Sequence, residues 1–200
     1  MMGLMWLPPR PAPATISEQR ARLPPPAECG EDPVSGIWRA HKWEPRFREW
    51  IIFTLTIRRD VDNPNQLSGT ITNHSWTGTP QDEEPPPCRP GQAEQIVSMN
   101  ATGSIDASGH IRFRGLPPWR IDRRICTTNM WGGYNLDNFD GVIDRELNEF
   151  QTQNNDGGRD VNMPYVFRRI RCFSDAASSP AVQTHPPDFY PEAARGCGCL

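Results

Sequence analysis

Between residues 35 and 173, apolar and polar side chains repeatedly alternate with period two, the mark of strands that bury one face. Ile51, Phe53, Leu55 and Ile57 share one side, with Thr54, Thr56 and Arg58 on the other. After a turn over Asp60 to Asn65, Leu67 to Ile71 forms the second arm of a hairpin. Val97, Met99, Ala101, Gly103 and Ile105 alternate against Ser98, Asn100, Thr102 and Ser104. The turn Asp106-Ala107-Ser108-Gly109 then leads into His110 to Arg114, with Ile111 and Phe113 inward. Further strands are predicted over Trp119 to Cys126 and Phe139 to Arg145, with a short one over Leu147 to Gln153. Asn154 to Gly158 reads as a turn, since Asn and Gly tolerate positive φ. Val161 to Cys172 is the last strand, with Met163, Tyr165 and Phe167 on one face and Pro164 marking an edge or a bulge near its start.

Leu67-x-Gly69-x-Ile71, Ala101-x-Gly103-x-Ile105 and Phe139-x-Gly141-x-Ile143 each place a glycine on the inward face between apolar neighbours. Glycine at such points lets a strand coil, as a small closed barrel requires. The expected fold is therefore all-β, a small antiparallel up-and-down β-barrel over residues 35–173, the alternative being a two-sheet β-sandwich. Residues 1–34 carry Pro8, Pro9, Pro11, Pro13, Pro24, Pro25, Pro26 and Pro33 and read as an extended, disordered arm without helix or sheet. Residues 174–200, rich in Pro, Ala, Ser and Gly and ending in Cys197-Gly-Cys199-Leu200, read as a disordered tail. The two terminal cysteines are taken as an exposed thiol pair without an assigned purpose.

Six cysteines suggest pairing and lean towards a secreted or extracytoplasmic protein, although Met1 to Leu7 lacks the basic leader of a secretory signal. Cys29 precedes the first strand and Cys172 ends the last, and closure of a barrel makes those strands neighbours. A Cys29 to Cys172 bridge is expected, and Cys88 in the long loop Gly78 to Gly91 is a candidate partner for Cys126. The net charge of −3 argues against nucleic acid, and no apolar run reaches the ~20 residues of a membrane-spanning helix. Lys42 is the single lysine, every other basic residue being arginine, and Arg112, Arg114, Arg120, Arg123 and Arg124 are candidates for an anion patch.

Ser35-Gly36-Ile37-Trp38 at the first strand, with Arg168, Arg169 and Arg171 in the last, resembles the signature of calycins, the lipocalin and avidin-like barrels. The resemblance implies that Arg169 or Arg171 lies across Trp38 and closes the base of the barrel by cation and ring contact. The hairpin meander and the Leu-x-Gly-x-Ile spacing are also similar to avidin-like chains.

No catalytic residues, metal site or cofactor are assigned. His41, His74, His110 and His185 are scattered, with only His41 and His74 able to meet across strands. Asp140 and Asp144 share a face beside Arg145. Asn73-His74-Ser75 and Asn100-Ala101-Thr102 match the glycosylation acceptor pattern. Trp38, Trp50, Trp76, Trp119, Trp131, Tyr134 and Tyr165 exceed what a core of this size needs. The expectation is a non-enzymatic binding module holding a small apolar or amphipathic ligand at the barrel mouth, lined by Trp38, Phe53, Phe113, Trp119 and Tyr165. The alternative is a filled barrel acting as a protein-interaction or structural subunit whose proline arms dock on a partner.

Overall fold

The alternating segments become eight strands in the computed structural model, which describes residues 14–30, 32–126 and 133–173. They are β1 (Gly36–Glu44), β2 (Glu49–Arg59), β3 (Gln66–Thr77), β4 (Glu94–Ile105), β5 (His110–Ile125), β6 (Asn138–Asp144), β7 (Glu149–Asn155) and β8 (Val161–Cys172). Every strand pairs antiparallel with its neighbours in sequence, and β8 returns to β1, so the sheet is a closed up-and-down barrel and not a sandwich. The inward positions form one core of Trp38, Phe53, Leu55, Ile71, Val97, Met99, Phe113, Phe139, Phe150, Tyr165 and Phe167. Its rings meet edge to face, as at Phe139 and Phe167, whose centroids lie 4.9 Å apart.

The inward glycines mark close approaches between strands. A Cβ on Gly69 would collide with the Thr56 carbonyl, and one on Gly141 with the Gln151 carbonyl. Gly69 also holds φ at +154°, outside what L side chains favour.

The base of the barrel lies where β1 begins and β8 ends. Register places Trp38 beside Arg169, whose guanidinium lies 5.4 Å from the indole centroid. Arg169 also donates to the Asp32 carbonyl at 2.6 Å and to Asn148 Oδ1 at 2.9 Å, while Trp38 Nε1 donates to the Val34 carbonyl at 2.8 Å. Arg171 is exposed and takes no part in this contact. Cys29 is bonded to Cys172 across the same seam, and Cys88 to Cys126 at the opposite end.

Three elements differ from the sequence reading. The N-terminal arm contains a helix, α1 (Ile16–Arg22), because the stretch between Pro13 and Pro24 is free of proline and Thr15 and Glu18 form a complete capping box. Segments 110–114 and 119–126 are one strand, since the bulge between Ser98 and Asn100 absorbs Pro117 and Pro118 where no ladder N–H is required. Asn154 and Asn155 belong to β7, where Asn154 pairs with Phe139 and Met163, and the turn begins after them.

Helix α1 fills a gap. β1 and β8 pair only from Gly36 to Arg39, and beyond that the β8 backbone has no strand beside it on this edge. The Gln19 side chain takes the missing place: its Nε2 donates to the Pro164 carbonyl and its Oε1 accepts from the Val166 N–H, both at 3.1 Å. Gln19 is fully buried there. Positions 1–13, Trp131, His185, Cys197, Cys199 and the predicted tail over 174–200 lie outside the described residues.

Candidate functional site

Strand direction places the β1–β2, β3–β4, β5–β6 and β7–β8 connections together at the end opposite the Trp38–Arg169 closure. Extending the inward parity of each strand to that mouth replaces apolar residues by polar ones. β1 continues from Trp38 and Ala40 to Lys42 and Glu44, and β2 runs back from Ile51 to Glu49. β3 passes from Ile71 to Asn73 and Ser75, and β7 from Thr152 to Asn154. All of these side chains are buried except Glu49, which is half-buried.

Around them the chain builds a connected polar layer. Tyr134 Oη donates to Asp137 Oδ2 at 2.6 Å, and Asn154 Nδ2 donates to Asp137 Oδ1 at 2.8 Å. Tyr165 Oη donates to Asp160 Oδ2 at 2.8 Å, and Arg159 pairs with Glu49 at 2.7 Å. Lys42 Nζ sits 4.5 Å from the centroid of the Tyr165 ring and 3.4 Å from Glu44 Oε2. That last contact is an ion pair without hydrogen-bond geometry. Lys42 Nζ, Glu44 Oε2 and Asn73 Oδ1 have no hydrogen-bond partner among the described residues.

Burial sets the protonation of this layer. It pushes the Asp137 carboxyl up to about 7, against the two hydrogen bonds it accepts and with help from the charges of Asp160 and Asp156. Burial raises Glu49 as well, opposed by Arg159 and by Ser75. Lys42 is lowered by burial despite the attraction of Glu44 and Asp160. The Tyr134 and Tyr165 hydroxyls are driven well above the usual phenol value, by burial first and by their carboxylate partners second, so both are hydrogen-bond donors.

Of the residues expected to line a ligand, Trp38, Phe53, Phe113 and Tyr165 are fully buried in the central core, and Trp119 packs at its edge with its ring 5.9 Å from Tyr134. Only Tyr165, through its hydroxyl and ring face, belongs to the polar layer. Two of the other tryptophans singled out act elsewhere. Trp50 and Trp76 lie on the outer face of β2 and β3, packed with Trp43 and Ile52. Their indole N–H groups donate to the Thr79 and Asp82 carbonyls, at 2.8 and 2.9 Å, and pin the β3–β4 loop against the wall. Arg22 of α1 stacks 5.0 Å from Trp50.

His41 and His74 occupy this outer face on either side of Ile52 and do not converge on a site. His41 packs 5.0 Å from Trp50 and is pushed down to about 4, by burial and then by Arg39 and Arg22. His74 Nε2 meets Glu94 Oε1 at 3.0 Å. Asp140 is exposed and pairs with His110 and Arg112, whereas Asp144 caps the β6–β7 turn through the Glu146 and Leu147 N–H groups, so these two carboxylates form no catalytic pair. Arg112, Arg114, Arg120 and Arg123 are exposed along β5, with Arg120 held by Asp122. Asn73 faces the interior and is closed to glycosylation, whereas Asn100 is exposed. A cleft of about 310 Å³ lies beside the β2–β3 and β4–β5 turns, lined by residues such as Asn65, Asp106 and Arg112, away from the mouth. No group of three or more His, Cys, Asp or Glu residues among the described residues is placed to hold a metal ion.

Sequence reasoning missed the polar layer because it followed the alternation through apolar residues only. The signal was present: Glu49 has the parity of Ile51 and Phe53, and Asn73 that of Ile71. No protein-family model, curated protein or solved structure matches this chain.

Proposed function

We propose that the protein is a non-enzymatic binding module of calycin-like build, which holds a small amphipathic ligand by its polar group at the barrel mouth. The observation that carries this reading is the set of buried, inward-facing polar atoms without a hydrogen-bond partner among the described residues, Lys42 Nζ, Glu44 Oε2 and Asn73 Oδ1, the first two held to each other only as an ion pair. A buried polar group left without a hydrogen bond costs about 1–3 kcal/mol, more when it is charged, so an inner face that gathers three of them supports a use beyond stability. The contact of Arg169 with Trp38 supports the calycin-like description, since it has the form that the resemblance implies. The packed core beneath the layer confines the ligand to the mouth, where the Tyr134 and Tyr165 hydroxyl oxygens, their hydrogens donated to Asp137 and Asp160, offer acceptors.

Native mass spectrometry of the protein isolated from its source tests the reading. A low-mass species retained by the intact barrel and lost in Asn73→Leu is the expected result. A barrel that carries only a protein subunit, with the same mass in both forms, would replace this reading by the second: a filled barrel serving as an interaction module. The tight aromatic core favours that alternative.

A further inference from the structure

Lys42 stands apart by identity as well as position. The chain has 21 lysine and arginine residues, and Lys42 is the sole lysine among them. It is also fully buried, facing into the mouth, with an amine that has no hydrogen-bond partner among the described residues. A site that needed only positive charge would accept arginine, as every other basic position does. A guanidinium, however, stays protonated and does not condense with carbonyls, whereas a desolvated primary amine does both of the opposite things.

We infer that Lys42 is an attachment point for carbonyl-bearing ligands, its ε-amine condensing with an aldehyde or ketone at the mouth to form an imine. This rests on the reading of the mouth as a ligand site. The nitrogen lone pair attacks the carbonyl carbon, and the carbonyl electron pair moves to oxygen, which takes up a proton. The resulting carbinolamine loses the nitrogen proton and its hydroxyl as water, leaving the C=N bond. No oxidant, reductant or further reactant enters. Glu44 Oε2, 3.4 Å from Nζ, is placed to take the nitrogen proton and return it to the departing hydroxyl. Burial favours the neutral, nucleophilic form of the amine. The Tyr165 ring face, 4.5 Å from Nζ, forms an apolar floor on which the carbon skeleton of the ligand rests.

The test uses the full chain with its disulfides intact, exposed at neutral pH to hexanal or benzaldehyde with sodium cyanoborohydride, followed by intact-mass measurement and peptide mapping. One addition, equal to the aldehyde less its oxygen, is expected on Lys42. Its rate in the native protein should exceed that in urea, since burial lowers the amine pKa and so raises the neutral fraction near pH 7. Lys42→Arg is expected to retain only the slower reaction of the α-amino group. Faster modification of Lys42 in urea than in the native state would show a merely buried lysine and overturn the proposal, and this comparison needs no variant that must fold. A ligand retained in native mass spectrometry by wild type and Lys42→Arg alike would overturn the imine while leaving the binding function standing. Loss of both retention and trapping would remove the two together.

Discussion

The two ends of the barrel are built from the same strands and satisfy opposite demands. At the base, inward positions carry Trp38, Leu55, Ile57 and Phe167, and an inward charge, Arg169, lies against an indole ring and donates to the Asp32 carbonyl and Asn148. At the mouth, the same parity carries Lys42, Glu44, Glu49, Asn73 and Asn154, with three polar atoms lacking a hydrogen-bond partner among the described residues. The base leaves one such atom, Arg169 Nε, on a guanidinium whose other two nitrogens are hydrogen-bonded. The mouth gathers three, and a local departure from what stability favours is where function is sought.

The sharpest contrast comes from the base. Trp38→Ala empties a fully buried site and removes the bond to the Val34 carbonyl and the Arg169 contact. It should cost about 3–5 kcal/mol, read as a lower midpoint in urea unfolding. Opening the seam by Cys29→Ser with Cys172→Ser removes a constraint between positions 143 residues apart. A loss of about 2–4 kcal/mol is expected under oxidising conditions, and none once wild type is compared in reductant. Gln19→Ala leaves the Val166 N–H and the Pro164 carbonyl unpaired where β1 has left β8. About 1–3 kcal/mol should be lost, and hydrogen exchange at Val166 should quicken more than at Phe167.

The pH response sharpens the comparison further. Asp137 has its carboxyl raised from 3.8 to about 7, so in this window the folded chain keeps a proton that the unfolded chain has released. Its contribution therefore falls as pH rises from about 4 to 7. His41 has the opposite sign. Lowered from 6.5 to about 4, it stays neutral in the folded chain while the unfolded chain binds a proton, and its contribution rises with pH across that interval. The two oppose each other, and wild-type stability should be nearly level between pH 4.5 and 6.5. Asp137→Asn should expose the rise and His41→Phe the fall, each by at most about 1.4 kcal/mol per pH unit, measured by urea midpoints along the series. Parallel profiles in all three proteins would show that neither shift contributes.

The base was the legible end. Alternation alone assigned the inward faces of β2, β4 and β8, because Ile51 to Ile57, Val97 to Ile105 and Met163 to Phe167 interleave cleanly with polar residues. Closure was readable from Gly36, Trp38 and the cysteines at the two extremes of the sheet. Helix α1 was obscured by the prolines around it, whose density hid a ten-residue gap containing the Thr15 to Glu18 capping box. The outer tryptophan cluster was unreadable for a different reason. Trp50 and Trp76 hold the outward parity of β2 and β3, and only the fold reveals the loop that covers them. The polar layer escaped because hydrophobic periodicity has nothing to report where the buried face itself becomes polar.

The contrast between the ends is tested most directly by the urea midpoint of Lys42→Met combined with Glu44→Leu. Replacing both members of a buried ion pair with apolar groups of similar volume is often neutral or stabilising by about 1–4 kcal/mol. The double variant should therefore unfold at or above the wild-type midpoint. A loss of about 3 kcal/mol or more would make Lys42 and Glu44 part of the scaffold, and the mouth would then have no claim to be more than the other end of the core.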